Sequence, residues 1–161
     1  MAVASRGEVK NEIRSLADSA GSADALMQAI TRTLHNRMLK YNWVGFYMLD
    51  KCAGAPGMLA LGAFQGAMTP HIRIPLNQGI CGAAASTGKT LVIDDVGKDP
   101  RYLACSTETK SEIVVPIFVK NEVVGELDID SHFPAAFDSE DRELVEFCAG
   151  LVGKLLEKSG K

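Results

Sequence analysis

Two apolar runs, 113–119 (IVVPIFV) and 123–129 (VVGELDI), lie almost back to back, with Lys120-Asn121 at the break. Runs this short, rich in β-branched residues and parted by a two-residue polar step, read as the strands of a hairpin. Both are apolar at nearly every position, so the hairpin is expected at the centre of a sheet covered on both faces. Pro116 cannot donate to a ladder and marks an edge position or a bulge. The polar residues gather at one end. Cys105 lies in the loop ahead of the hairpin, Glu112 at its start, and Asp128 and Asp130 at its finish. Solvated charge at strand ends is the plain reading. It is disfavoured because the flanking strands are apolar on both faces, and an unpaired buried acid is costly.

Register turns this into a structural expectation. A regular hairpin about Lys120-Asn121 pairs Ser111 with Asp130 and sets Glu112 beside Ile129, facing away from the aspartates. One extra residue in the loop, or a bulge at Pro116, brings Glu112 opposite Asp130. A pocket shared by all three acids therefore predicts an irregular hairpin.

The rest of the chain supplies cover for that sheet. Val9, Ile13 and Leu16 predict a helix over 8–18, and Leu26, Met27, Ile30 and Leu34 a second over 23–40 with Ser22 as its N-cap. Residues 43–49 (WVGFYML) read as a buried strand. Alternation puts Trp43, Gly45 and Tyr47 on one face, where the glycine leaves a slot between two rings; the plain alternative is that both rings are ordinary core. Further strands are expected at 59–64, 71–74 (limited by Pro75) and 90–93. Between the last two, Gly79 suits a turn into an alanine-rich helix. Cys81 would sit near that helix's N-terminus, which favours a thiolate; a small residue in a tight helix–sheet contact is the alternative. Residues 97–110 form a long loop carrying Cys105. Asp138 or Ser139 caps a last helix to about Lys158, with Leu144, Phe147, Cys148, Leu151, Val152 and Leu155 as its stripe and Cys148 as a structural thiol. The order predicts an α+β single domain over 1–161, core about 5–156, with an antiparallel sheet and helices at both termini. The terminal stripes also allow a homodimer.

Composition narrows the partners. A net charge of −3 over 161 residues leaves no basic footprint for nucleic acid and no polybasic membrane patch. The N-terminus resembles neither a signal peptide nor a membrane span, so a cytoplasmic protein is expected. The four cysteines are 29, 24 and 43 residues apart with no C-x-x-C, which argues against a metal site. In a reducing compartment a disulfide among them would be catalytic or redox-sensing.

The run Trp43-Val-Gly-Phe-Tyr47, the Gly-Ile-Cys81-Gly-Ala segment, Ala104-Cys105, Ser111-Glu112-Ile-Val and Leu127-Asp-Ile-Asp-Ser131 resemble the GAF-domain free methionine-(R)-sulfoxide reductases, in order, from about Ser5 to Leu156. The resemblance implies a GAF-like six-stranded antiparallel sheet flanked by N- and C-terminal helices. It also implies reduction of free methionine sulfoxide, with no cofactor beyond an external dithiol reductant such as thioredoxin. It matches Cys105 to the nucleophile and Cys81 to the cysteine that forms a disulfide with it. Trp43 and Tyr47 match the aromatics at the substrate's methyl end, and Glu112, Asp128 and Asp130 the pocket carboxylates. One position departs: where members commonly carry a third cysteine, ten residues before Cys81, this chain has His71. A two-thiol cycle is the expectation, through a Cys105 sulfenic acid and a Cys81–Cys105 disulfide. The rival reading is a GAF module that senses a small molecule without turnover.

Overall fold

In a computed structural model, residues 5–50, 54, 57–103 and 107–159 are described. Helices α1 (Arg6–Ser19) and α2 (Ala23–Arg37) lead into strands β1 (Trp43–Asp50), β2 (Met58–Gln65) and β3 (Arg73–Pro75). Helix α3 (Gly79–Thr87), strands β4 (Leu91–Ile93), β5 (Ser111–Val119) and β6 (Glu122–Ser131), and helix α4 (Ser139–Lys158) complete the order. Local signals set the helix ends. Ser5 and Glu8 form a capping box on α1, Ser22 caps α2, and Asp138 and Asp141 form a capping box on α4. The second helix stops at Arg37, three residues short of the sequence expectation. Met38 is extended there and turns into the core with Tyr41.

The six strands form one antiparallel sheet in the order β3-β2-β1-β6-β5-β4. The hairpin β5–β6 is central, as its two-sided apolar pattern predicts. Pro116 lies on β5 beyond the last β4 pair at Val114, on a stretch paired only with β6. That is the edge-like setting its missing N–H requires.

Strand alternation divides the core. Val44, Phe46, Ile113, Val115, Ile117, Leu127 and Ile129 face α1, α2 and α4 in one cluster. Trp43, Tyr47, Leu59, Ile74 and Val114 face the other way, against Ile80, Cys81 and Ala84 of α3. The terminal helix stripes thus pack within the chain. Leu144, Cys148 and Val152 pack into the first cluster with Val9 and Ile13, whereas Leu16, Phe147, Leu151 and Leu155 of the same stripes stay half-buried. Cys148 is fully buried, as a structural thiol should be. No described helix is long and apolar enough to cross a membrane.

Candidate active site

The hairpin breaks register. Val119 pairs with Glu122 and Phe118 with Val123, but Ile117 pairs with Gly125 and Glu112 with Asp130. Lys120 and Asn121 both adopt positive φ, 51° and 67°, the signature of a tight two-residue type I′ turn. The turn is therefore regular, and the extra residue is Val124, bulged from β6 opposite the Ile117/Phe118 step. The irregularity that a shared pocket demands exists, one position beyond Pro116.

Its consequence is a grid of side chains beneath α3. Across β1, β6 and β5 the rows are Trp43, Asp130 and Glu112; Gly45, Asp128 and Val114; Tyr47, Glu126 and Pro116. Glu112, Asp128 and Asp130 are each 5% exposed or less. Glu126 belongs to the same face and is fully buried. The sequence reading missed it. The signal was available, since Glu126, Asp128 and Asp130 alternate along one strand.

Helix α3 lowers Cys81 onto this grid, where its thiol donates to Asp128 Oδ2 at 3.3 Å. Of the two readings of Cys81, the buried small residue in a helix–sheet contact matches its place, and the thiolate favoured by the helix N-terminus does not. Burial pushes the thiol well up, and the carboxylates Asp128, Glu126 and Glu112 push it further. A fixed partial charge at a helix end is outweighed by desolvation with three acids nearby.

The acids raise one another too. Burial, then the charges of Asp128 and Asp130, lift Glu112 well above the carboxylate range. Burial and Asp128 do the same to Asp130. Burial also raises Asp128, though hydrogen bonds from Glu112 and Cys81 oppose it. Of the three, Asp128 is the acid whose rise is most opposed, so negative charge on the cluster is least disfavoured there. One oxygen each of Asp128 and Asp130, and both oxygens of Glu126, have no hydrogen-bond partner.

Trp43 and Tyr47 form the aromatic wall, with ring centres 6.2 Å apart. The slot over Gly45 is not open, because the Trp43 indole lies across it; a Cβ at Gly45 would clash with the Cη2 edge of the ring. Trp43 also stacks on Phe64 at 5.8 Å and donates its Nε1–H to the Ala67 carbonyl at 3.0 Å. The Tyr47 hydroxyl donates to the His71 carbonyl at 2.7 Å. Position 71 therefore braces the wall through its backbone.

Two spaces adjoin the acids. A cavity of about 20 Å³ is bounded by Tyr47, His71, Cys81, Leu103, Glu112 and Asp128. That is room for one water. Another, of about 180 Å³, lies between Trp43, Asp130, Thr109 and His132. No lysine or arginine lines either space among the described residues. The Cys81 sulfur and one oxygen each of Glu112 and Asp128 lie within 4.8 Å of one another. Of the residues expected from sequence, Trp43, Tyr47, Cys81, Glu112, Asp128 and Asp130 come together. Cys105 lies outside the described residues, as does Cys52.

Residues 22–156 match the GAF domain family. The chain is 43% identical over 114 residues to the free methionine-R-sulfoxide reductase of Saccharomyces cerevisiae, spanning 70% of this chain and 62% of the yeast protein. It is 37% identical over 123 residues to the free methionine-R-sulfoxide reductase of Escherichia coli, spanning 76% and 71% of the two chains. Among solved structures, the free methionine-R-sulfoxide reductase of Neisseria meningitidis in complex with its substrate superposes with a TM-score of 0.88. It is 34% identical, over 96% of this chain and 89% of that one.

Proposed function

The chain belongs to the GAF-domain free methionine-R-sulfoxide reductase family, and on that basis we propose that it reduces free L-methionine (R)-S-oxide to methionine with thiol electrons. The observation that carries this reading is the bulge that sets Glu112 opposite Asp130 and diagonal to Asp128, two residues along β6 on the same face, all three buried. Sulfoxide reduction needs both a proton donor at neutral pH and a fixed negative charge for an amino acid's ammonium group. A cluster that shares protons unequally supplies both.

Cys105 attacks the sulfoxide sulfur as thiolate. Glu112, whose carboxyl stays protonated, gives its proton to the oxygen. The transient sulfur–sulfur bond and the substrate's S–O bond then break as the protonated oxygen passes to the Cys105 sulfur, which releases methionine and leaves Cys105 as a sulfenic acid. Trp43 and Asp130 share the larger cavity. Trp43 and Tyr47 hold the methyl end, and Asp130 and Asp128 take the ammonium by charge-assisted hydrogen bonds. Cys81 then attacks the sulfenic sulfur, water departs, and a Cys81–Cys105 disulfide forms. An external dithiol of the thioredoxin type reduces it by exchange.

The deciding experiment supplies resolved free methionine sulfoxides with a dithiol reductant. Loss of the R epimer alone, abolished by Cys105→Ser, supports the reductase. No turnover of either epimer, with tight binding of another small molecule, would replace it with the sensor reading.

A further inference from the structure

Glu126 has no part in the cycle above, yet it is fully buried and neither of its oxygens has a hydrogen-bond partner. It sits two positions from Asp128 on β6, opposite Tyr47 of β1 and Pro116 of β5, on the face that α3 covers. Each neighbour that could engage it is otherwise committed or apolar. The Tyr47 hydroxyl bonds the His71 carbonyl. Asp128 accepts from Cys81 and interacts with Glu112. Helix α3 brings no acid or base except the Cys81 thiol. A buried carboxyl with so little to hold it is destabilising, and the one titratable group α3 presents to it is Cys81.

We propose that Glu126 is the proton acceptor for Cys81 in the disulfide-forming step. As the Cys81 sulfur bonds to the sulfenic sulfur of Cys105, the thiol proton passes to the Glu126 carboxylate. The S–O bond of Cys105 breaks, and the departing oxygen takes a proton from the Glu112–Asp128–Asp130 cluster to leave as water. Cys81 is oxidised from thiol to disulfide and Cys105 reduced from sulfenic acid to disulfide, so no further oxidant is needed. Proton transfer is most effective when donor and acceptor have similar affinities. An ordinary carboxylate is a poor base for a thiol, and burial raises Glu126 toward it. Among the described residues the other groups facing the pair are Asp128 on the same strand, Glu112 on β5, Tyr47 on β1 and His71, which lines the small cavity with Cys81; no lysine or arginine lines that cavity to hold Glu126 permanently ionised.

This inference rests on the two-thiol cycle and is tested in the reduced, full-length enzyme. One equivalent of the R-sulfoxide is mixed without external reductant. Methionine release, sulfenic acid (by dimedone adduct mass) and the Cys81–Cys105 disulfide (by peptide mass) are followed from pH 6 to 9. In the wild type the disulfide should keep pace with methionine and form faster as pH rises through the Glu126 titration. In Glu126→Gln, sulfenic acid should accumulate and the disulfide form roughly 100-fold more slowly, a common loss when a positioned base is removed. Its rate should follow only the thiol's own ionisation. Glu126→Asp keeps a carboxyl and should retain the wild-type shape of pH dependence at a lower rate, which serves should the glutamine variant fold poorly. A glutamine variant with wild-type disulfide rate and pH profile overturns the role of Glu126 alone, as does an aspartate variant that loses the pH dependence. A wild type that releases methionine but forms no disulfide overturns the two-thiol cycle and this inference with it.

Discussion

Substituting Gly45 by alanine tests whether the aromatic wall is a folded-over indole rather than two rings with a gap. The added methyl would clash with the Cη2 edge of the Trp43 ring, so the ring must move. Displacement forfeits the 5.8 Å stack on Phe64, worth about 0.5–1.5 kcal/mol. It also forfeits the 3.0 Å bond from Nε1 to the Ala67 carbonyl, worth about 0.5–1.5 kcal/mol. Gly45→Ala should therefore cost about 1–3 kcal/mol, offset by a few tenths for the better strand residue. In a chain of this length that lowers the melting temperature by about 2–4 °C per kcal/mol. The control is Trp43→Ala, which removes the three atoms nearest to an alanine Cβ at 45. A double-mutant cycle by urea denaturation should return a coupling of about 1–3 kcal/mol between the two positions. Because Trp43 borders the larger cavity, Gly45→Ala should also raise KM for methionine (R)-sulfoxide more than it lowers kcat. Equal costs of Gly45→Ala in both backgrounds would refute the stacked arrangement.

Three further outcomes follow from the burial of the acids and thiols. Glu112→Gln removes the proposed proton donor, so single-turnover methionine release should fall roughly 10²–10⁴-fold. The alkaline decline in rate, which reflects loss of the Glu112 proton, should vanish with it; a variant that keeps that limb would exonerate Glu112. The raised Glu112, Asp130 and Glu126 bind more protons folded than unfolded between the ordinary carboxylate range and their elevated folded values. Stability to urea should therefore fall as pH rises across that window, and Glu126→Gln should flatten the slope. Cys148, fully buried with its thiol pushed up by burial, should resist alkylation in the native state. Cys148→Ala should cost about 1–2 kcal/mol, a buried-group deletion at the low end, and leave turnover intact; loss of activity without loss of fold would make it more than a core residue.

How much of this was legible in the chain depends on whether the cause was local. The hairpin, the caps at Ser22 and Asp138 and the buried stripe of α4 are written in neighbouring residues, and they fold as read. The break in register was required by chemistry before it was seen. Its site was not readable, because Val124 looks like any strand valine and only Pro116 advertised an irregularity. Glu126 was overlooked for a related reason. It sits between Gly125 and Leu127 in a run that reads as apolar, and its place in the pocket depends on the pairing of β6 with β1. The slot at Gly45 failed on side-chain direction, since alternation gives the face a residue shares but not that one ring will lie across its neighbour.

The Cys81 thiol is the sharpest case of a local rule defeated by the fold, and its defeat supports the division of labour between the two cysteines. A helix N-terminus would have made Cys81 a reactive thiolate in the resting enzyme, competing with Cys105 for substrate or oxidant. Strand β6 is 47 residues away in sequence and sets Asp128 at 3.3 Å from the sulfur. Together with Glu126 and Glu112 it keeps the proton on. A thiol held protonated among carboxyls is a poor first nucleophile. It remains adequate as a second one, because a sulfenic acid is a better electrophile than a sulfoxide and neighbouring bases can take its proton as the bond forms. In the proposed cycle the acids that restrain Cys81 at rest are also the groups that would complete its reaction, and the alternating carboxyls of β6 favour the proposed order, Cys105 first and Cys81 second.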